Sequence, residues 1–237
     1  MKRRREFMSD EVWHTILNKY VVPYKNMNRF CPPTIILHKD SEPLIDRKLH
    51  SRLQDIAAVA PDMKIDIYSN GVLLPIWHHR GEDFFEILGS LPNQVRYLMS
   101  FHPYNHDGST NVYDETINYL KKVLHSPPHN VEFITVSHKS KWVSQLMQDS
   151  WRAEWEGLPI TVHSNCSINP WTGLITDEEG LAQFNGCPYG DFGHMFFGVT
   201  GNVIACCMDL EEEIVFGNVL RDSPADMVAK LEVFYTD

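Results

Sequence analysis

Apolar residues recur along the first two-thirds of the chain with two alternating periods. Between Asp10 and Tyr20 they fall at Val12, Trp13, Ile16 and Leu17, one face of a helix, with Ser9 placed as its N-cap. Thr34-Ile35-Ile36-Leu37 is a short continuous apolar run and reads as a buried strand. Leu49 to Val59 returns to helical spacing through Leu49, Leu53, Ile56 and Ala57. Lys64-Ile65-Asp66-Ile67-Tyr68 is strand-like and stops at the turn signal Asn70-Gly71. The same rhythm predicts a helix over Glu82 to Leu91, a strand over Val95 to Phe101, and a helix over Tyr113 to Leu124 with Ile117, Leu120 and Val123 on one side. A strand over Val131 to Val136, a helix over Lys141 to Trp155 and a strand over Leu158 to His163 complete it. Repeated β–α alternation predicts an α/β fold with a parallel sheet and helical crossovers. Five such strands suit a partial or open barrel better than a closed eight-stranded one.

The texture changes near residue 165. Glycine and cysteine become frequent, and Met195 to Val199 and Val203-Ile204-Ala205 flank Thr200-Gly201-Asn202 as the arms of a β-hairpin. Pro224 to Tyr235 reads as a closing helix. The expected organisation is therefore a domain over residues 1–165 and a small module over 166–237.

Composition narrows the function. The chain has 237 residues, 43% of them hydrophobic, enough for one large domain with a small appendage. Its formal net charge of −10 argues against a nucleic-acid partner, which needs a basic surface. The basic run Lys2-Arg3-Arg4-Arg5 is short and isolated and reads as a solvated terminus. No apolar stretch reaches the length of a membrane span, and no apolar h-region follows the basic start. Of the five cysteines, Cys31 stands alone, and Cys166, Cys187, Cys206 and Cys207 fall in the last third. That is no disulfide framework, and it fits a reducing, cytoplasmic compartment.

Two constellations carry chemistry. Polar residues follow each apolar strand: His38-Lys39-Asp40-Ser41-Glu42-Pro43, Ser69-Asn70-Gly71, Ser100-Phe101-His102, Ser137-His138-Lys139 and His163-Ser164-Asn165. In parallel α/β folds these positions gather at the carboxyl edge of the sheet and predict a shared polar cavity. The second constellation is the late cysteines. Hairpin closure would return Cys206 or Cys207 to the neighbourhood of Cys187, and converging thiolates are ligands for iron–sulfur clusters or zinc. Buried structural cysteine remains the other reading of the spacing. His78-His79 and His102/His106 lack the helical spacing and carboxylate of a metalloprotease motif. No dinucleotide, P-loop or nucleophile-elbow motif is present.

Gly201-Asn202-Val203-Ile204-Ala205-Cys206-Cys207-Met208-Asp209, followed by Phe216-Gly217-Asn218-Val219, resembles the SPASM region of radical-SAM proteins, with Cys187-Pro188 at the place of the first hairpin cysteine. Upstream, Ser41-Glu42-Pro43-Leu44 is similar to the "G-E-P-L" end of the family's second strand, Ser69-Asn70-Gly71 to the "T-N-G" of the third, and Ser100 to a serine ending the fourth. The resemblance runs from about residue 7 to 235. It implies a partial (β/α)₆ barrel lacking its first strand, joined to a minimal SPASM-like module. It further implies one [4Fe–4S] cluster on Cys187, Cys206, Cys207 and Cys166, and an S-adenosylmethionine site lined by Glu42, Ser69, Asn70 and Ser100. Intact relatives cleave S-adenosylmethionine to a 5′-deoxyadenosyl radical and modify a peptide or small molecule. The departures matter equally. The family's C-x-x-x-C-x-x-C should precede Phe7 and is not found, and Cys31 is single. Radical chemistry is thus expected only if that motif is supplied to what looks like a truncated or degenerate relative. The alternative is a non-catalytic binding module with a structural zinc or no metal. A shared metal site requires the sulfurs of Cys187 and Cys206 within about 8 Å of one another.

Overall fold

The computed structural model describes residues 7–24, 34–37, 42–79, 83–101, 114–138, 149, 152–166, 195–205, 209 and 212–236. The chain forms two compact units, one of residues 34–168 and one combining 1–33 with 169–237.

The unit 34–168 is built on five parallel strands: β1 (Thr34–Ile36), β2 (Lys64–Ser69), β3 (Val95–Phe101), β4 (Val131–His138) and β5 (Thr161–Cys166). They lie side by side in chain order, β1-β2-β3-β4-β5, so the winding never reverses. Right-handed crossovers of one sense place the connecting helices on one face of the sheet. Those helices are α3 (Leu49–Val59), α4 (Leu74–His79), α5 (Phe84–Ser90) and α6 (Asp114–Leu124). Helix α5 starts where Asp83 accepts from the amides of Phe85 (3.0 Å) and Glu86 (3.2 Å). Its Phe84 and Phe85 rings meet Tyr97 of β3 edge-on at 5.7 and 5.2 Å, and Phe85 lies 5.2 Å from Phe133 of β4. Leu53, Ile56, Ile65, Ile67 and Leu88 fill the same layer and are buried. Each such side chain contributes about 1.5–3 kcal/mol on leaving water.

The opposite face of the sheet carries a charge pair. Asp66 on β2 is buried, and Arg96, its register partner on β3, donates to it through Nε (2.8 Å) and Nη2. This bidentate bond raises the guanidinium pKa and compensates the buried carboxylate.

Two buried asparagines lock the other end of the sheet. Asn93 Nδ2 donates to the carbonyls of Ala60 (2.9 Å) and Met63 (2.8 Å), where α3 turns into β2. Asn130 Nδ2 donates to Leu88 (2.9 Å), Leu91 (3.0 Å) and Asn93 (3.0 Å), where α5 turns into β3. Helix C-termini leave carbonyls without donors, and these side chains supply them.

The other unit holds α1 (Asp10–Ile16), a π turn over Leu17–Val21, the short α2 (Val22–Tyr24), a three-stranded antiparallel sheet and α7 (Pro224–Thr236). The sheet consists of β6 (Phe196–Phe197), β7 (Asn202–Ile204) and β8 (Val215–Asn218). The β6–β7 hairpin is present as its sequence predicts; β8, on the apolar run Ile214-Val215-Phe216, was not anticipated. Gly201, at φ +84°, makes the hairpin turn, and a Cβ there would lie 2.8 Å from Val219 Cγ2.

Three expectations need correction. The first helix is α-helical only to Ile16 and then widens, because Pro23 has no N–H for the Lys19 carbonyl and its ring crowds it. Strand β5 begins at Thr161, not Leu158. Pro159 cannot donate to a ladder, and the Leu158 and Ile160 amides donate into a turn, to Trp155 (3.1 Å) and Leu158 (2.8 Å). His163, Ser164 and Asn165 consequently lie inside β5, not after it. Helix α4 was not anticipated. The expected helix over Lys141 to Trp155 lies mostly outside the described residues.

The asparagine clamp generates a test. Asn130→Ala removes the donor to the buried Leu91 and Asn93 carbonyls, while the Leu88 carbonyl keeps the Leu91 amide at 3.2 Å. It is expected to lower stability by about 2 kcal/mol, read as a shift of the urea midpoint at unchanged slope. A loss below about 1 kcal/mol would show that the clamp is dispensable.

Candidate functional site

The described part of the carboxyl edge of the parallel sheet is organised by Glu42. The 3₁₀ turn Pro43–Ile45 begins at this residue, whose own carboxylate caps it: Leu44 N donates to Oε1 at 3.1 Å. Ser69, the last residue of β2, donates its hydroxyl to the same oxygen at 2.7 Å. Asn70 donates its amide to Oε2 at 2.7 Å. The loop after β1 is thus fastened to the end of β2 by one side chain. Ser69 Oγ also accepts from Gly71 N (2.9 Å), and Asn70 Oδ1 accepts from Val72 N (3.0 Å), so the turn is held by its own side chains. Gly71 takes φ +72°, the left-handed conformation that closes such a turn.

Residues from the helical layer reinforce the turn. Thr116 on α6 donates to the Gly71 carbonyl at 3.2 Å, and the Trp77 indole on α4 donates to the Leu44 carbonyl at 2.9 Å. The Tyr97 hydroxyl lies near Ser69 and Glu42; burial drives its pKa far up, with nearby Ser69 opposing the rise and the Glu42 charge adding to it. Tyr97 therefore stays neutral, and its buried hydroxyl has no hydrogen-bond partner among the described residues. Thr116, Trp77 and Tyr97 escaped the sequence reading because apolar neighbours mark them as core.

Of the residues expected to line the cavity, Glu42, Ser69 and Asn70 are in direct contact. Ser100 stands on the adjacent strand, one step beyond Met99, the register partner of Ser69. The four occupy the same sheet edge. Chemically, Glu42, Ser69 and Asn70 offer a carboxylate, a hydroxyl and an amide, groups that fit a ligand carrying an ammonium group.

The second constellation is described by its scaffold. Cys187, Cys206 and Cys207 lie outside the described residues, as does Cys31. Cys166 ends β5 in register with His138, within the unit 34–168. No group of three metal-ligating side chains occurs among the described residues. The strand ends around the cysteine pair are firmly tied. Ala205, just before Cys206, donates its amide to Ile214 O at 3.2 Å. Asp209, just after Met208, is buried and accepts from Glu213 N (2.9 Å) and Ile214 N (3.0 Å). Glu212, at φ 54°, turns its carboxylate onto Asn202 Nδ2 (2.8 Å) and lies over Gly198, where any Cβ would collide with it.

The Gly217-Asn218-Val219 motif is explained in the same way. A Cβ on Gly217 would lie 2.8 Å from Asp222 Oδ2 and 2.9 Å from Met227. Asn218 donates through Nδ2 to Thr200 O (3.0 Å) and Asn202 Oδ1 (2.9 Å), and accepts from Leu220 N (3.0 Å). Val219 is fully buried and donates its amide to Gly201 O at 2.8 Å. The motif residues therefore hold the hairpin that Cys206-Cys207 follow in the chain.

Residues 187–233 match the family model of SPASM, an iron–sulfur cluster-binding domain. The match starts at Cys187 and includes Cys206 and Cys207, while Cys166 lies upstream of it. Among solved structures, the chain is similar to BtrN in complex with AdoMet and 2-DOIA, at 16% identity and TM-score 0.57, covering 100% of this chain and 77% of that one. It is similar also to selenomethionine BtrN in an open conformation, at 15% identity and TM-score 0.53, covering 97% and 72%. No curated protein matches the chain. The family match gives residues 187–233 the character of an iron–sulfur cluster-binding domain. The structural likenesses, at 16% and 15% identity, show the fold alone.

The clasp makes a specific prediction. Glu42→Ala removes the acceptor of three donors and is expected to destabilise the unit 34–168 by about 1–3 kcal/mol. Glu42→Gln, which keeps one carbonyl oxygen, is expected to cost less. Urea unfolding followed by the Trp77 and Trp155 fluorescence tests this, and equal costs for the two variants would contradict it.

Proposed function

We propose that this chain is an iron–sulfur protein derived from enzymes that cleave S-adenosylmethionine to modify a peptide or small molecule. Its N-terminal part is a partial (β/α)₆ barrel and its C-terminal module binds one [4Fe–4S] cluster. The observation that carries the reading is the match of residues 187–233 to an iron–sulfur cluster-binding domain that contains Cys187, Cys206 and Cys207. These thiolates are the ligands, with Cys166 as the next candidate. Such a donor set suits iron–sulfur chemistry, and a bound cluster would bind substrate or relay electrons. Asp209 ties down the backbone that follows the cysteine pair, and Glu212 bonds Asn202 of the hairpin that precedes it. Glu42, Ser69, Asn70 and Ser100 form the strand-end site for S-adenosylmethionine. Among them, Glu42 orients the Asn70 turn and supplies negative charge for the methionine ammonium group. Cleavage of the cofactor further requires the C-x-x-x-C-x-x-C motif, which this sequence does not contain.

Anaerobic reconstitution with iron and sulfide tests the first half. Iron and sulfide should be retained with the visible charge-transfer absorption of a cluster. Cys187→Ser and Cys206→Ser should each lower the iron content several-fold, and Cys31→Ser should leave it unchanged. Retention of stoichiometric zinc in place of iron would move the assignment to a structural zinc site. The second half is tested by adding S-adenosylmethionine and a strong reductant to the loaded protein. No 5′-deoxyadenosine is expected by chromatography, and turnover above a no-protein control would overturn the account of the absent motif.

A further inference from the structure

The family match ends short of what holds the C-terminal module together. Its three strands, Phe196–Phe197, Asn202–Ile204 and Val215–Asn218, are very short. A sheet of that size does not stand without a helix packed on it. One helix, α7, comes from within the match and brings Met227 and Leu231 into the core. The other comes from the far end of the chain. Val12, Ile16 and Tyr20 share a single buried cluster with Val203, Val219, Met227 and Leu231, and Met195, Phe197 and Phe216 pack against it.

The contacts are specific. The Tyr20 ring meets Phe197 edge-on at 5.2 Å, and its hydroxyl points at Met227 Sδ at 3.7 Å. Lys19 Nζ donates to the Val219 carbonyl at 3.0 Å, inside the Gly-Asn-Val motif. Val12 approaches so closely that a Cβ on Gly201 would lie 3.3 Å from it. Residues 7–24 contain no cysteine and lie outside the family match.

We propose that α1 with its π turn is a coupling helix: the cluster-binding domain is a two-segment domain, residues 7–24 together with 195–236, whose metal loading and N-terminal order are thermodynamically linked. The helix closes the core on which the hairpin rests, and the hairpin carries Ala205, the residue before Cys206. Metal that binds the closed module stabilises the helix, and a helix that leaves the module loosens the ligand loop. The two effects are equal by linkage. The metal half of this linkage rests on the function proposed above.

Hydrogen exchange on the full chain tests this. In the metal-free protein, Ile16→Ala should speed exchange of the Gly198, Ala205 and Val219 amides at least tenfold, and leave the Ile65 and Val95 amides of the parallel sheet unchanged. Leu53→Ala, in the other unit, should do the reverse. Ile16→Val should give a smaller effect of the same pattern and serves if the larger truncation unfolds the chain. Loading with iron and sulfide should slow exchange of the Trp13 and Leu17 amides at least tenfold. The proposal is overturned if Ile16→Ala leaves Ala205 and Val219 at wild-type rates, or if metal loads and α1 exchanges as before. A wild-type chain that takes up no metal refutes the cluster reading, while the metal-free comparison still decides the closure by α1.

Discussion

Tyr97 joins the core to the site. Its ring is enclosed by Phe84, Phe85 and Phe133 in the middle of the helix-covered face. Its buried hydroxyl lies close to Ser69 and Glu42 without a hydrogen-bond partner among the described residues. Close packing leaves such a ring one position, so the end of β2 cannot move independently of the core. The polar cluster at the sheet edge is therefore as rigid as the aromatic layer beneath it. Burial also removes Tyr97 from acid–base chemistry, since its ionised form is strongly disfavoured there.

Glu42 shows how a single carboxylate can fasten two loops together. It accepts from Leu44, Ser69 and Asn70, which belong to two consecutive strand–loop junctions. Charge-assisted bonds of this kind are roughly twice as strong as neutral ones. What they secure is a turn with its polar groups aligned before any ligand arrives, which reduces the ordering that binding must impose. Asp209 plays the same part in the other unit, where it ties the segment after the cysteine pair to Glu213 and Ile214. In both places an acidic side chain organises the backbone amides of a turn.

The module's construction also explains its glycines and asparagine. Gly198, Gly201 and Gly217 each sit where a neighbouring side chain occupies the space of a Cβ. Asn218 links two turns through donors and an acceptor that no shorter or charged residue offers in the same shape. These residues look like a motif for metal binding. Their physical role is to let three very short strands and two helices approach within van der Waals contact.

The sequence by itself determined the elements with strong periodicity and the chemistry of their ends. Parallel pairing of five strands follows from β–α alternation, and Glu42, Ser69, Asn70 and Ser100 follow from residues that terminate apolar runs. The hairpin and its cysteines follow from a turn and a spaced motif. All of these are local signals, encoded within a few residues. Tertiary structure decided the rest. Whether Glu42 touches Asn70, how Asn130 closes the loops, and why Tyr97 lies near Ser69 depend on partners tens of residues away. The start of β5 was set by Pro159 and a turn that periodicity does not register. The pairing of Val12, Ile16 and Tyr20 with Val203, Val219, Met227 and Leu231 spans nearly the whole chain. An amphipathic helix announces that it has an apolar face, but the pattern is the same whichever surface covers it. Only the folded chain shows that the surface belongs to the cluster-binding module.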